Sequence, residues 1–318
     1  MSLLLIRGAV EQGLIYSLVA LGLYLSFRTL NIPDMTVDGS YTLGAAVSAA
    51  LTAAGDGNSL DAQQAALTAA GHPFLALFCA ALAGAGAGLA TAFLQTKLRI
   101  QSILAGIVTM TALYSINLRV MGGRANLTLL RLDTVFSLLK SALPRVAQPW
   151  TRLLVAAGAA VAVGFMLAFF LRTRLGLSIR ATGDNPRMVS ASSINPQYTI
   201  TVGLCLANAM PALSGALIAQ YQQFCDITMG TGMVVIGLAS LIIGEVLTGA
   251  TRWPSVRRGV SAALLGGAAY WIIIAGAISS SVSANDLKLL SALIVAAAIS
   301  WPVLASRVRF ALRKKAGR

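Results

Sequence analysis

The chain has 318 residues, of which 57% are hydrophobic and only 11% are charged, and its mean hydropathy is +0.78. A soluble domain of this size needs far more polar surface, so a soluble enzyme or binding module is excluded and the solvent is mostly lipid. The net charge of +14 does not indicate nucleic acid, because Lys and Arg cluster between apolar runs and in the tail 307–318, the pattern of a positive-inside membrane protein with a lipid-facing basic tail.

In chain order, apolar runs near the roughly 20 residues that a bilayer-crossing helix needs fall at 8–28, 38–54, 73–95, 101–120, 151–171, 199–221, 232–250, 259–279 and 287–305. The expected fold is therefore an all-α polytopic membrane protein with about nine transmembrane helices. The first run contains Glu11 and Gln12 and has no small-residue cleavage site, so it reads as a retained span and not a removed signal peptide. The second is short and contains glycine. Segments carrying Arg28, Lys97, Arg99, Arg172, Arg174, Arg180, Arg187, Arg252, Arg257 and Arg258, together with the tail, hold 16 of the 24 basic residues. On the opposite side, loop 55–72 has Asp56 and Asp61 and no Lys or Arg. This asymmetry places the N terminus outside and the C terminus in the cytoplasm.

Segment 121–150 falls outside in this scheme despite Arg124, Arg131, Lys140 and Arg145. Within it, Leu130, Val135, Leu138, Leu139 and Ala142 recur at roughly helical spacing. That spacing predicts an amphipathic helix over 129–143, lying on the outer interface. Small residues such as Gly84, Gly86, Gly88 and the pair Gly266–Gly267 predict close helix packing in lipid. Cys79, Cys205 and Cys225 lack CxxC spacing and read as apolar packers, and His72 sits in a polar loop, so neither a disulfide framework nor a metal site is expected.

Asp34-Met35-Thr36-Val37 recurs as Asp226-Ile227-Thr228-Met229, each after an apolar span and before a glycine-bearing one. Spans 1–4 and 6–9 would then form an inverted repeat with span 5 as connector, a common plan for alternating-access transporters. Both aspartates read equally as ordinary helix caps. Residues 173–198 form a long loop in which Asp184 or Asn185 caps a short helix, Pro186 suits its first turn, and Asn195-Pro196 ends it. Met188 and Val189 would be exposed on that helix. An apolar tip of this kind either enters a partner's groove or lies on the membrane surface.

The run Arg174-Leu-Gly-Leu-Ser-Ile-Arg-Ala-Thr-Gly-Asp-Asn-Pro, then Ser193-Ile194-Asn195, then Leu213-Ser-Gly-Ala-Leu, resembles the permeases of branched-chain amino acid and ribose-type ABC importers. Leu30-Asn-Ile-Pro-Asp-Met-Thr-Val-Asp-Gly39 and Leu43-Gly44 fit the same pattern. The resemblance runs from about 13 to 302 and is most specific over 172–245. It is strongest to the less characterised permeases paired with lipoprotein-like binding proteins, some of which are thought to handle aromatic amino acids.

The resemblance implies one permease domain over 1–318: repeat one at 8–120, a connector span at 151–171, a cytoplasmic coupling loop at 173–198, repeat two at 199–305, and a basic tail at 306–318. It implies that Asp184, Asn185, Pro186, Arg187, Met188, Val189, Ala191 and Ile194 form a coupling helix docking on cytoplasmic ATPase subunits. It also implies an extracytoplasmic binding protein and a second permease copy as partners. The family has Gly-Ile-Asn where this chain has Ser193-Ile194-Asn195, which bears on the cap geometry. No GxxxxGK[ST] phosphate loop occurs in the chain. ATP and Mg would therefore be used by the separate ATPase, and no cofactor is expected on this chain.

Ionisable groups near membrane depth are functional candidates by default: Glu11, Asp34, Asp38, Asp226 and Glu245. Thr36, in the repeated motif, joins Asp34 and Asp38 as a pathway candidate. Asp34 and Asp38 fall at the cytoplasmic end of span two and read equally as interfacial caps. Glu245 either pairs with a loop arginine or holds an inner gate. Asn208, Gln220 and Gln222 either face the pathway or bond between helices. A rival reading is an ion-driven secondary transporter with Asp34 and Glu245 as coupling carboxylates. An intramembrane protease is set aside, because the one His lies in a loop.

Overall fold

The computed structural model describes residues 3–54, 72–130, 132–142, 148–249 and 255–279, with single residues at 289, 292, 293, 296 and 300. The helices are α1 (Leu3–Leu23), continued by a π-helical turn (Tyr24–Thr29), α2 (Val37–Ala54), α3 (Pro73–Thr96), α4 (Ser102–Val120), α5 (Val135–Ala142), α6 (Thr151–Phe170), α7 (Arg174–Asp184), α8 (Pro186–Ala191), α9 (Pro196–Gln222), α10 (Met233–Thr248) and α11 (Val256–Ser279). Two three-residue strands, β1 (Asn126–Thr128) and β2 (Phe224–Asp226), pair antiparallel with Leu127 opposite Cys225.

Six of the nine expected spans, the first, third, fourth, fifth, sixth and eighth, are helices long and apolar enough to cross a membrane. The second and seventh appear as the shorter α2 and α10, of 18 and 16 residues. The ninth and the basic tail lie outside the described residues, apart from single positions, as does the acidic loop 55–71.

Interhelical contacts fix the relative directions of the helices. Ser214 Oγ donates to the Ile15 carbonyl at 2.8 Å and Tyr221 to Glu11 at 3.0 Å, so α1 and α9 are antiparallel. Asn208 contacts Ser40 and Gln220 contacts Ser48, so α2 runs with α9. Pro73 meets Gln220 while Thr91 meets Thr36, so α3 runs against both. Gly106 packs on Met35, and Asn117 lies by Gly39, so α4 runs with α2. Gly237 packs on Val19 and Leu23, and Glu245 pairs with Arg28, so α10 runs with α1. From α1 to α4, and again from α9 to α10, successive helices therefore alternate in direction.

Helix α9 is the pillar of the bundle, and most of its middle is buried. Its crossing with α2 is so close that a Cβ on Gly44 would overlap the Ala212 backbone, and one on Gly215 would overlap the Tyr41 carbonyl. Apolar side chains find no hydrophobic preference for each other over lipid tails, so this backbone contact supplies dispersion that bulkier residues would forbid.

The helix expected over 129–143 begins only at Val135. Thr134 and Ser137 cap each other reciprocally, with Thr134 N–H donating to Ser137 Oγ at 2.8 Å and Ser137 N–H to Thr134 Oγ1 at 3.2 Å. Leu129, the first residue of the expected interfacial helix, is instead fully buried with Ala45, Ala49 and Cys225. The strand β1 ahead of it draws the chain inward, and helical spacing alone gave no sign of that pairing.

Candidate functional site

The loop between the π-helical turn and α2 carries the first Asp-x-Thr motif to the middle of the molecule. Asp34 is 0% exposed. Its Oδ1 accepts from the Thr36 N–H at 2.9 Å, closing an Asx turn, and its Oδ2 accepts from Asn208 Nδ2 at 2.6 Å. Asn208 Oδ1 in turn accepts from Ser40 Oγ at 2.9 Å, and the Thr36 and Thr91 hydroxyls meet at 2.7 Å. Asn208 lies near the midpoint of α9, a helix of 27 residues, so this polar chain crosses the centre of the bundle and ties α2, α3 and α9 together. Asp34 is thus an enclosed residue and not an interfacial cap, because Asn208 on another helix supplies the bond that makes burial tolerable.

The second motif repeats the local geometry. Asp226 Oδ1 accepts from the Thr228 N–H at 2.7 Å and also from the Thr228 hydroxyl. This turn sits by the β1–β2 ladder, and Thr228 is exposed. Beyond it the chain turns inward to start α10. There Asp38, in the first turn of α2, accepts from the Gly232 N–H at 2.9 Å and the Val234 N–H at 2.8 Å. Asp38 therefore caps the N terminus of α10, not its own helix, placing its charge at the positive end of that helix's dipole.

Of the remaining candidates, Glu245 makes a two-pronged ion pair with Arg28, through Nε at 2.7 Å and through Nη2. Arg28 lies on the π-helical turn, so this pair locks α10 to the end of α1. Glu11 is held by Arg7 Nε at 2.9 Å and by the Tyr221 hydroxyl. Gln220 Nε2 donates to Ser48 Oγ and the Pro73 carbonyl, while its Oε1 accepts from the Val135 N–H. Gln222 is exposed at the end of α9.

The segment expected to be one loop with a short helix is instead two helices. Thr173 caps α7 by accepting from the Gly176 N–H at 3.3 Å, and Asp184 is the last residue of α7. Asn185 caps α8, accepting from the Arg187 and Met188 N–H groups at 3.1 and 3.2 Å, with Pro186 in its first turn. Helix α8 ends at Ala191, before Asn195-Pro196. That pair starts α9 instead, with Asn195 accepting from the Gln197 N–H. Met188 is 69% exposed, whereas Val189, expected beside it, is 4% exposed. The Ile194 N–H reaches back to the Val189 carbonyl at 3.2 Å and the Ser193 N–H to that of Ser190 at 3.2 Å. This closure turns Val189 inward. It also holds Ser193 at φ +62°, a left-handed position where glycine has no Cβ to strain.

Sequence reasoning missed the partners on other helices. Ser40 and Thr91 complete the Asp34–Asn208 chain, and Thr182 meets Thr199 at 2.8 Å where α7 lies on α9. Gly183 was also missed: a Cβ there would overlap the Thr29 carbonyl, so the end of α7 rests on the π-helical turn. Each hydroxyl lies at an unremarkable spacing along its own helix, so only the far-removed partner marks it.

The sequence profile described as "Branched-chain amino acid transport system / permease component" matches residues 5–298. The "Tyrosine transport system permease protein" of Clostridioides difficile (strain R20291) is 34% identical over 292 residues, covering 92% of this chain and 89% of that protein. An uncharacterised protein of Rickettsia prowazekii (strain Madrid E) is 34% identical over 237 residues, covering 74% of this chain and 75% of its own length. No solved structure matches the chain. With its bundle of apolar helices, this multi-pass membrane protein belongs to the family of branched-chain amino acid transport system permease components.

Proposed function

We propose that this chain is the transmembrane subunit of an ATP-driven ABC importer of the inner membrane, forming the pathway for an amino acid or related small polar solute. An extracytoplasmic binding protein delivers the solute, and separate ATPase subunits supply the energy using ATP and Mg. The observation that carries the reading is α8. It is a short, capped helix that presents Met188 outward, at the end of the molecule where basic residues concentrate. Behind it, Gly183 rests on the Thr29 carbonyl, and Thr29 belongs to the same turn as Arg28, the partner of Glu245. A push on α8 therefore has a contiguous route into α1 and α10, and through the 30–36 loop to Asp34.

The permease is taken to act as a homodimer, with nine spans, the N terminus outside and the C terminus cytoplasmic. The matching Asx turns at Asp34 and Asp226, each on a segment turning inward before a shorter helix, support an inverted repeat around the pathway. The relative's name supports amino acid cargo. The ion-driven alternative is weakened because Glu245 is committed to Arg28 and Asp34 to Asn208.

The test is co-purification with the partner ATPase, wild type against Met188→Asp. Retention by the wild type and loss in the variant, with equal membrane insertion, is expected. Equal retention by both would remove α8 as the docking element.

A further inference from the structure

A cavity of about 310 Å³ lies between α2, α4 and the segment 227–231, the small end of the range for ligand pockets. Its lining includes Asp38, Thr42, Thr111, Tyr114, Asn117 and Thr231. Tyr114 is 53% exposed, and Thr111 and Thr231 are exposed as well. On the same helix, Ile107, Val108 and Ile116 form an exposed apolar surface of the kind lipid covers. A patch of hydroxyls and a carboxylate beside such a surface is costly against hydrocarbon, so it belongs on a water-filled path or against protein.

Among the described residues the ion pairs are Arg7–Glu11 and Arg28–Glu245, so no described cationic side chain pairs with Asp38. Its oxygens take two backbone N–H groups from the start of α10, and a carboxylate has about four acceptor positions. Asn117 is 1% exposed. Its Nδ2 donates to the Gly39 carbonyl at 3.4 Å, and its Oδ1 has no hydrogen-bond partner. The cavity thus gathers acceptors around one carboxylate that the N terminus of α10 stabilises and no described cationic side chain pairs with, with the Tyr114 ring and Ile227 as apolar walls. Asp34 differs in being wholly enclosed by its partners.

We propose that this cavity is a holding site on the pathway for the ammonium group of the transported amino acid, with Asp38 as counter-charge; this rests on the permease reading above. Asn117 Oδ1 and the Thr42 and Tyr114 hydroxyls complete the set of acceptors. The solute's side chain lies along Tyr114, toward the exposed face of α4.

The test is thiol chemistry on the full-length protein in membranes. Thr111→Cys is made with Cys79 and Cys205 replaced by alanine. Cys225 is left in place, since it is buried and its thiol is pushed up to about 12. Rates with a trimethylammonium-ethyl and a sulfonatoethyl thiosulfonate are each divided by the rate on a free thiol. The cationic reagent is expected to be favoured by about tenfold, with the preference falling toward parity in Asp38→Asn. Should Asp38→Asn fail to accumulate, the same preference must shrink between low and high salt. A saturating mixture of free amino acids is expected to slow the reaction, and the matching N-acetylated mixture is not.

No reaction with either reagent, a preference indifferent to Asp38→Asn and to salt, or no selective protection by the free amino acids would each overturn the site. None of these measurements needs ATP. A wild type that imports solute while Thr111→Cys shows no preference sinks the holding site alone. The expected thiol chemistry without ATP-driven import sinks the importer reading alone.

Discussion

The two Asp-x-Thr turns share four-residue chemistry and one hydrogen-bond pattern, yet they occupy opposite environments. Asp34 is sealed in the middle of the bundle by Asn208, whereas Asp226 lies at one end beside a two-stranded ladder, with Thr228 exposed. Local sequence sets the turn, and what crosses over it from another helix sets whether its charge is structural or accessible. Between them stands Asp38, with its backbone on α2 and its partners at the start of α10.

The comparison is broken most severely where the helices cross. Gly44→Leu places a side chain where the Ala212 backbone stands, so a loss above about 4 kcal/mol is expected. The readout is disappearance of monodisperse protein in detergent; normal accumulation would show that the crossing yields. Next come the two aspartates themselves. Asp34→Ala strands Asn208 and the Thr36 N–H in the interior, at a cost of about 2–4 kcal/mol. Asp226→Ala exposes its donors to water and costs under about 1 kcal/mol. Equal melting shifts for the two variants would contradict the contrast.

Smaller effects sharpen the picture at the end of the molecule that carries α8. Glu245→Gln leaves Arg28, whose side chain is 54% exposed, free to meet water, so stability should change by less than about 1 kcal/mol. Transport should fall further than stability, because the link between α1 and α10 is lost; a variant with full transport rates would remove that link from the mechanism. Ser193→Gly relieves the left-handed strain and should slow amide exchange over 186–194 by roughly two- to fivefold. Unchanged exchange would mean that the cap stores no strain.

Much of the fold was legible because its signals are local. Hydropathy fixed the long spans to within a few residues, and Asn185-Pro186 marked the start of α8. The T-x-x-S pattern at Thr134 was also available for α5, but the helical spacing counted from Leu130 obscured it. What could not be read was the neighbourhood of each polar group. Asp34 and Asp38 stand four residues apart on one stretch of chain, yet one is buried by Asn208 on α9 and the other caps α10. Nothing within either stretch encodes a partner well over a hundred positions away. Val189 shows the same limit at short range, since a closure three residues beyond the helix decides that it faces inward and Met188 outward.

The most direct measurement is solute uptake by the full-length chain reconstituted in liposomes with its ATPase and binding protein. The account predicts amino acid uptake that requires ATP and persists when an ionophore collapses every ion gradient. Uptake that proceeds without ATP and stops with the ionophore would contradict it and establish an ion-driven transporter instead.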